Sequence, residues 1–587
     1  MRISALLSFS AVAAVAIAHV PLSRRFQPGA LHPDPVPLRP LTWGQLNIIH
    51  TTDTHGWLSG HTKEESYSAD FGDFASFLFH MRQQANLRQQ DLLVVDSGDL
   101  HHGTGLTDAT ELDGQLANPI FEKINYDALS IGNHELMQNS VIEDTFKNFA
   151  PRWGRRYLTS NTFVKDGITN ERIPVGNLYN KFRLKYGTRV MSYGFIFNFN
   201  KTASRAVLEP SSVTVTLPWF QKTLKEDVDM YLIVAHVPIR WPEAMVVVQA
   251  IRAKHPSKPI IFMGGHAHVR DFIQYDARAV GMASGRFLET IGWLSVDGIH
   301  DRACRVETSC VGKNLTISRR YLDNNVHTFK THSLAHPAQK FDTWKGRHIT
   351  KEISALRHSL NLTDTIGCAP RHYYLSQYPA TDPRSVLHLA TSEVLPFAVL
   401  QRSRPHPGVV FIHTLSHRFD IFKGPFTIDD TFVVSPYDYR FVFATVRFKI
   451  AKLVLSNLNG VIAEAPKVRH PPSTRSERVY TPGYVTKDDY GYGGDDWPHT
   501  PIPQVQAPTY VSTALPKDLD DHDLVDVIWL DFFSDEMERL LKRLDPARTG
   551  HNPAAPYRHD VDINTMYRVF AKSKWSRGSC QDDHSTP

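Results

Sequence analysis

Between residues 42 and 343, short apolar runs alternate with longer stretches in which apolar positions recur at helical spacing. The runs that predict buried strands are QLNIIHT, DLLVVD, DALSI, MYLIVAH and PIIFMGG. The stretches that predict helices are FGDFASFLFHMRQQANL, a segment near Pro119 to Lys123 and a segment from about Glu243 to Lys254. Strands that alternate with helices in this way predict an α/β domain with covered sheets.

A second domain follows a polar helical connector. Residues 344–364 predict the connecting helix, and residues 365–575 the second domain. Within that domain, RSVLHLATSEVLPFAVLQ and residues 448–458 predict helices, whereas GVVFIHTL and DTFVVSPYDYRFVFATV predict strands. Residues 464–517, rich in Pro, Gly, Tyr and charge, predict either a long ordered binding loop or a surface excursion. Residues 576–587 form a polar tail.

The N-terminus predicts export. Residues 1–18, MRISALLSFSAVAAVAIA, combine an early arginine, a short apolar run and a small-residue cleavage site, as a signal peptide does. The run is too short to span a bilayer comfortably, so we expect no membrane anchor. Residues 19–41 are Pro-rich and predict an extended leader. The exported protein can be extracellular or vacuolar, and the sequence leaves both destinations open.

Charge argues against one class of partner. The chain has 587 residues, with 65 Lys and Arg against 60 Asp and Glu, and these charges are interspersed. The absence of a basic stripe argues against a nucleic-acid polymer as the partner. The oligomeric state stays open.

An oxidising route predicts disulfides rather than cysteine metal sites. Cys304 and Cys310 could close a small loop, and a bond between Cys368 and Cys580 would join the second domain to the chain end, but the sequence leaves the connectivity open. The sequons at Asn200, Asn314 and Asn361 are compatible with glycosylation.

Metal-type side chains follow five of the apolar runs. They occur as pairs or singly in TTDTHG, DSGD, GNH, LIVAH and GGHAH. Because residues two apart in an extended backbone project to one side, each D-x-H or H-x-H pair can face a common centre. Strand ends at one edge of an α/β sheet are where such domains assemble a site. The seven predicted ligands are Asp53, His55, Asp99, Asn133, His236, His266 and His268.

This mixture of oxygen and nitrogen ligands favours Zn, Mn, Fe or Co, with Mg possible, over Ca. Seven ligands are too many for one tetrahedral ion, but they suit two divalent ions that share one carboxylate, which we assign to Asp99. Two such ions, roughly 3.5–4 Å apart, clamp the attacking and leaving oxygens of an in-line displacement, and the water between them becomes the nucleophile.

Each motif alone also has an ordinary structural explanation. A single D-x-H is usually a loop, GNH can be a turn with a capping asparagine, and His236 alone would more often be a structural histidine. All five motifs in this order, each after an apolar run, leave little room for that explanation.

The series resembles the calcineurin-like metallophosphoesterases, whose pattern runs D-x-H, G-D, G-N-H-(D/E), H and G-H-x-H, over about residues 45–270. The resemblance implies a four-layer αββα domain, which we place at residues 42–343. It also implies that Asp53, His55, Asp99 and His268 hold one metal, and that Asp99, Asn133, His236 and His266 hold the other. His134 would meet the phosphate and its leaving group, beside the catalytic Asn133.

The second half resembles the C-terminal domain of 5'-nucleotidases and periplasmic UDP-sugar hydrolases, on RFDIFKGPFTIDDTFVVSPYDYRFVFATV and YGYGGDDWP. The resemblance implies that Arg418 grips the substrate phosphate or ribose region, Tyr437 stacks on the base and Asp495 binds the ribose. Tyr437 could instead be a packing residue. Two departures stand out: HTLSHR replaces an Asn-rich Gly loop, and the second base-stacking aromatic falls on Asp489, beside Tyr490.

The chain departs from the 5'-nucleotidases at Met137, where they have an aspartate that pairs with the catalytic histidine. We expect Glu135 to face away from His134, so the missing carboxylate would weaken proton donation unless another carboxylate supplies it from elsewhere in space. Metal binding should be unaffected.

The sequence therefore predicts a dinuclear-metal-dependent phosphoester hydrolase with a small-molecule phosphoester as substrate, and it favours a phosphomonoesterase acting on nucleotides. Within the same chemistry, the alternative is a phosphodiesterase or pyrophosphatase acting on nucleotide sugars or cyclic nucleotides. A binding protein that kept the fold and lost the chemistry is the competing class.

Overall fold

The computed structural model describes residues 39–300, 314–334, 336, 339–460, 481–482, 499–500, 505–546, 555–575 and 580. Two six-stranded sheets lie at the centre of its N-terminal half. In spatial order, the first sheet consists of Thr316–Asp323, Thr290–Asp297, Leu46–Thr51, Asp91–Asp96, Ala128–Ser130 and Tyr157–Leu158. The second consists of Arg270–Asp276, Ala279–Ser284, Ile260–Gly264, Met230–His236, Arg189–Ile196 and Asn180–Arg183.

The strands that carry the predicted ligands are parallel neighbours. Leu46–Thr51 pairs in parallel with Asp91–Asp96, which pairs in parallel with Ala128–Ser130. In the other sheet, Met230–His236 pairs in parallel with Ile260–Gly264. In each sheet the carboxyl ends of these strands therefore point to the same edge.

The two sheets pack face to face, with helices on their outer faces. Ile48 and Leu232 belong to one buried cluster made from both sheets. Their chain neighbours Ile49 and Ile233 point the other way, because successive strand residues alternate, and join the cluster that contains the outer helices. The result is the four-layer αββα arrangement that the resemblance implies.

Helices of the N-terminal half cover these sheets and carry several of the loops around the site. The longest, Phe71–Arg88, begins with a capping box formed by Asp70 and Asp73. No described helix is long and apolar enough to cross a membrane. The α-helices of this half are Phe71–Arg88, Gly105–Asp108, Ala117–Phe121, Asn139–Asp144, Ala150–Trp153, Ser211–Thr214, Pro218–Thr223, Pro242–Arg252 and Val326–Ser333.

The predicted connecting helix is present as Trp344–Ser359. After it, a five-stranded sheet forms the centre of the second half, in the spatial order Tyr510–Ser512, Gly408–His413, Leu524–Leu530, Phe441–Arg447 and Ala555–Pro556. Its α-helices are Val386–Leu389, Leu395–Ala398, Ile428–Val434, Phe448–Leu458, Ser534–Leu544 and Thr565–Lys574. Two further pairs of strands belong to this half: Thr365–Ala369 with Gly424–Thr427, and Thr481–Pro482 with His499–Thr500. In the N-terminal half, a small three-stranded sheet consists of Arg172–Pro174, Thr162–Lys165 and Ala206–Leu208.

One predicted strand is wrong in its first half. In DTFVVSPYDYRFVFATV, the residues before Pro436 belong to the helix Ile428–Val434, and only Phe441–Arg447 is a strand. The reason is local: Thr427 and Asp430 form a capping box, which starts a helix despite the β-branched residues that follow.

The two halves meet beside the predicted site. The carboxylate of Asp429 accepts hydrogen bonds from the amide of Gly105, at 2.8 Å, and from Arg357, at 2.9 Å. Lys63 lies 2.7 Å from a carboxylate oxygen of Asp430. An apolar cluster from both halves continues this contact, made of Trp57, Phe287, Phe419 and Phe422.

A disulfide joins Cys368 to Cys580, 212 residues apart, so the prediction of a disulfide is confirmed and this connection, which the sequence left open, is present. It ties a strand of the second half to the chain end, and Cys304 and Cys310 lie outside the described residues. Asn200, Asn314 and Asn361 are exposed.

Candidate metal centre and substrate pocket

The seven predicted ligands lie together at the carboxyl ends of the parallel strands. Asp53 and His55 follow the strand that ends at Thr51, and Asp99 follows the strand that ends at Asp96. His236 is the last residue of its own strand. Residues far apart in the chain therefore converge because parallel strands end at one edge.

The backbone that carries these ligands is not extended, contrary to our expectation for the D-x-H and H-x-H pairs. Asp53 and His55 have φ values of 49° and 45°, and His266 and His268 of 70° and 56°. Asp99 is also left-handed, at 62°. Non-glycine residues rarely adopt this conformation, and such strain clusters at functional sites. The paired ligands therefore meet at one centre through left-handed turns, and the alternation of side chains along an extended strand is not what brings them together.

A glycine permits the closest approach of two ligand loops. A Cβ atom on Gly132 would lie 2.1 Å from Oδ1 of Asp99. The same Oδ1 accepts a hydrogen bond from the amide of His134, at 2.9 Å. Any side chain at residue 132 would therefore push the GNH loop away from Asp99.

The first group of ligands contains Asp53, His55, Asp99 and His268. One ligand atom from each lies within 4.8 Å of all the others. Nε2 of His55 is 3.1 Å from Nε2 of His268 and 3.7 Å from Oδ2 of Asp99. These four side chains could hold one ion.

The second group contains Asp99, His236 and His266, whose ligand atoms also lie within 4.8 Å of one another. Nε2 of His236 is 3.0 Å from Oδ2 of Asp99 and 3.1 Å from Oδ1 of Asn133. The two groups share Asp99, which is 1% exposed.

Hydrogen positions show why this donor set fits cations. Nδ1 of His236 lies 2.8 Å from the carbonyl oxygen of Ser97, and Nδ1 of His55 lies 2.5 Å from that of His101. A carbonyl only accepts, so each Nδ1 carries a hydrogen, and each ring in the neutral form that binds a metal offers an Nε2 lone pair. For His236 that lone pair faces two oxygen acceptors. Among the described residues, the buried Oδ2 of Asp99 has no hydrogen-bond donor either.

Electrostatics agree with this assignment. Burial lowers the pKa of His266 to about 3 and that of His268 to about 4, which leaves both rings neutral, as metal binding requires. Burial opposes a charge on His236, but Asp99 and Asp53 outweigh it and raise its pKa to about 10. Two buried carboxylates therefore need positive charge beside them to stay ionised, and divalent ions would supply it.

His134 lies beside this cluster, in the short helix His134–Leu136. Its Nε2 is 3.8 Å from Oδ2 of Asp99. Glu135 faces away from it, as predicted, because its carboxylate accepts hydrogen bonds from the amides of Leu100, at 2.7 Å, and Gly132, at 2.8 Å. Glu135 therefore holds the metal loops and does not orient His134.

Two residues near His134, His102 and Asp113, are not among the site residues predicted from the sequence. Nδ1 of His102 lies 2.7 Å from Nδ1 of His134, and Nε2 of His102 lies 3.0 Å from Oδ2 of Asp113. The signal in the sequence was the histidine pair that directly follows DSGDL. It did not reveal which ring turns towards His134, because that depends on a left-handed backbone at His102, with φ of 66°.

Arg418 reaches the metal cluster from the second half of the chain. One terminal nitrogen of its guanidinium lies 3.0 Å from Nε2 of His55. After burial, its charge is the largest cause that lowers the pKa values of His55 and His134. The positive field of Arg418 favours an anion at this point of the pocket.

Tyr437 also lies at the pocket but has little free surface. It is 7% exposed. It stacks on Tyr439, with ring centroids 4.7 Å apart and 9° between the planes, and its centroid is 5.2 Å from that of His102. Asp489, Tyr490 and Asp495 lie outside the described residues.

Comparisons with known proteins agree with this geometry. Residues 46–270 match the family described as calcineurin-like phosphoesterase, and residues 372–471 and 463–537 match the family described as NAD nucleotidase, C-terminal domain. A protein of Arthroderma benhamiae named "Secreted protein" is 36% identical, over 98% of this chain and 99% of its own. The chain belongs to the calcineurin-like phosphoesterases of the two-domain 5'-nucleotidase family.

Solved structures extend the likeness to the whole fold. The crystal structure of a 5'-nucleotidase from Candida albicans is 35% identical, covers 92% of this chain and 99% of its own, and superposes with a TM-score of 0.82. A 5'-nucleotidase precursor from Thermus thermophilus, 14% identical, shares the fold over 90% of this chain and 97% of its own, with a TM-score of 0.57. Both resemblances and the predicted fold class are therefore confirmed, and this calcineurin-like phosphoesterase is a hydrolase of phosphoric esters.

Proposed function

We propose that the protein is an exported, dinuclear-metal phosphomonoesterase that acts on nucleotides. The observation that supports this most is the shared carboxylate: Asp99 belongs to both ligand groups, and Arg418 stands beside one of them. In this proposal Asp53, His55, Asp99 and His268 hold one ion, and Asp99, Asn133, His236 and His266 hold the other. Zn, Mn, Fe or Co suit these ligands, and Mg is possible.

When bound, the two ions would acidify the attacking water and neutralise the charge that develops on the phosphate. The chain's own residues do the rest. Arg418 binds the phosphate through charge-assisted hydrogen bonds. His134 lies on the side of the leaving group and gives its Nε2 proton to the leaving oxygen. Asn133 and Asp99 keep the GNH loop against the cluster.

The nucleotide assignment rests on the second half of the chain. The Candida albicans relative, which covers 92% of this chain, is named a 5'-nucleotidase. In the proposal, Tyr437 contacts the base and Asp495 the ribose. Since Tyr437 already stacks on Tyr439, only its outer face or edge remains for the base. We therefore expect a modest selectivity for nucleotides over small esters.

A second candidate is a pyrophosphatase acting on dinucleotides or nucleotide sugars. The observation in its favour is the match of residues 372–537 to the C-terminal domain of NAD nucleotidases. Both candidates use the same metal centre, so the products distinguish them. A pyrophosphatase releases two mononucleotides from a dinucleotide, or a mononucleotide and a sugar phosphate from a nucleotide sugar, whereas a phosphomonoesterase releases inorganic phosphate.

The proposed site of action is outside the cell or in a vacuole. The predicted signal peptide, the disulfide between Cys368 and Cys580 and the name of the Arthroderma relative support export. The exposed sequon asparagines suit glycosylation of the mature chain.

The test is a substrate panel for the mature protein, expressed through a secretory route. It contains AMP, NAD, a UDP-sugar, a cyclic nucleotide and an aryl phosphate, each with Mn, Zn, Co or Mg. We expect phosphate release from AMP to exceed release from the aryl ester. Mononucleotides from NAD or the UDP-sugar, with AMP untouched, would favour the second candidate. No turnover of any substrate with two ions bound would overturn both.

A further inference from the structure

A hydrogen-bonded chain runs from His134 to a carboxylate that is distant in sequence. Nδ1 of His134 lies 2.7 Å from Nδ1 of His102, whose Nε2 lies 3.0 Å from Oδ2 of Asp113. Nε2 of Gln138 donates to the same Oδ2 at 2.9 Å. The segment that lacks the acid at Met137 thus contributes, one residue later, a donor that orients the substitute acid.

The ring of His102 is held firmly in this chain. It is 4% exposed, and its backbone is left-handed. The carboxylate of Asp108 accepts hydrogen bonds from the amides of His102, at 2.9 Å, and Gly103. Tyr437 contacts the ring on another side. A strained residue that is fixed from three directions points to a functional constraint.

The hydrogen-bond partners indicate which ring nitrogens carry hydrogens. Asp113 accepts, so Nε2 of His102 carries a hydrogen. Burial opposes a charge on His102, but the hydrogen bond and the charge of Asp113 outweigh it and raise the pKa of the imidazole. In its charged form His102 has hydrogens on both nitrogens, and its Nδ1 then donates to Nδ1 of His134. A neutral His134 must then carry its hydrogen on Nε2, the atom that faces Asp99.

We propose that His102 and Asp113 are positioning residues that hold His134 in the Nε2–H tautomer, aimed at the oxygen of the leaving group. They replace in space the acid that is absent at Met137. This inference rests on the proposed hydrolysis of phosphomonoesters. As water adds to phosphorus, the bond to the leaving oxygen breaks and its electron pair goes to that oxygen, which takes the Nε2 proton. The Nδ1 proton of His102 then moves to Nδ1 of His134.

A chain of this kind matters most when the leaving oxygen is basic. The alkoxide that departs from AMP needs a proton in the transition state, whereas an aryl oxide with electron-withdrawing groups departs without one. Loss of the chain should therefore slow the two esters unequally. A merely structural contact would slow both alike.

The experiment compares four single variants, and the double variant that combines His102→Phe with Asp113→Asn, on AMP and p-nitrophenyl phosphate. His102→Phe keeps a ring but removes the donor, and His102→Asn keeps a donor near the position of Nδ1 and tolerates a left-handed backbone. Asp113→Asn removes the charge that supports the imidazolium. His80→Gln is the matched control, since His80 is a buried histidine of the helix Phe71–Arg88 whose Nε2 donates to the carbonyl oxygen of Phe341.

We expect His102→Phe to lower kcat on AMP by about 10²-fold and to leave the aryl ester nearly unchanged, because proton donation by a positioned side chain contributes about 10²–10⁴-fold. His102→Asn should recover part of the loss, and His80→Gln should change neither rate. If the two residues act as one chain, Asp113→Asn should add little to His102→Phe, as expected for groups that act as a unit. Metal content should match wild type throughout.

An equal loss on both esters, or a His102→Asn variant as slow as His102→Phe, would overturn the inference. A wild-type enzyme inactive on both esters would instead contradict the proposed function. In that case crystal structures of wild type and His102→Phe with bound phosphate would decide, and an unmoved His134 ring in the variant would show that His102 does not position it.

Discussion

The metal centre and the substrate side of the pocket are built in different ways. Six of the seven predicted ligands come from loops that follow strands of the N-terminal sheets, His236 ends a strand, and the ligand atoms converge within a few ångströms. The substrate side depends on Arg418 and Tyr437, which the second half of the chain brings to the same place. The chemistry is thus encoded in one domain, whereas selectivity depends on how two domains meet.

The largest expected effect comes from a substitution in the metal centre. Asp99→Asn removes the shared charge, so we expect loss of at least one ion and a fall in kcat of about 10³-fold or more, since the ions supply several kcal/mol of stabilisation. Metal analysis and AMP kinetics measure this. Asp96→Asn is the matched control, because burial raises the pKa of Asp96 to about 8 and asparagine resembles its neutral form. Full activity with two ions in Asp99→Asn would contradict the shared carboxylate.

A smaller expected effect tests whether the second domain contributes to substrate binding independently of metal binding. Arg418→Ala should lower kcat/KM for AMP by about 10–100-fold, because hydrogen bonds to charged groups contribute about 1.5–3 kcal/mol. The metal content should stay at the wild-type value. Arg418→Lys should be intermediate, since lysine keeps the charge without the planar fork. Arg384→Ala, which removes an exposed arginine paired with Asp382, serves as the control. Loss of metal in Arg418→Ala would show that the two regions are not separable.

The smallest effect tests selectivity alone. Tyr437→Ala should raise KM for AMP by about tenfold and spare the aryl phosphate, because base stacking contributes about 1–3 kcal/mol and Tyr439 already occupies one face. Tyr437→Phe should resemble wild type in the same KM measurements. Equal changes on both substrates would mean that Tyr437 is a packing residue.

Much of the fold could be read from local patterns. The apolar runs around Ile48 and Ile233 are buried strands, and FGDFASFLFHMRQQANL is the helix Phe71–Arg88. The error at Ile428–Val434 arose because the β-branched residues there were read as a strand, whereas the capping box at Thr427 decides the conformation. Short-range signals that compete in this way are resolved only by the structure.

The sequence by itself determined the ligand types and their order after the strands, because strand periodicity is a local property of the chain, and the alternation of strands with helices predicted the parallel edge at which they meet. Only the tertiary structure decided which atoms face one another. The left-handed turns at Asp53 and His55, the approach of Arg418 to His55 and the contact between His102 and His134 depend on backbone angles and on packing between distant segments. A sequence motif specifies which side chains are present at a site, and the fold determines their directions and the distances between them.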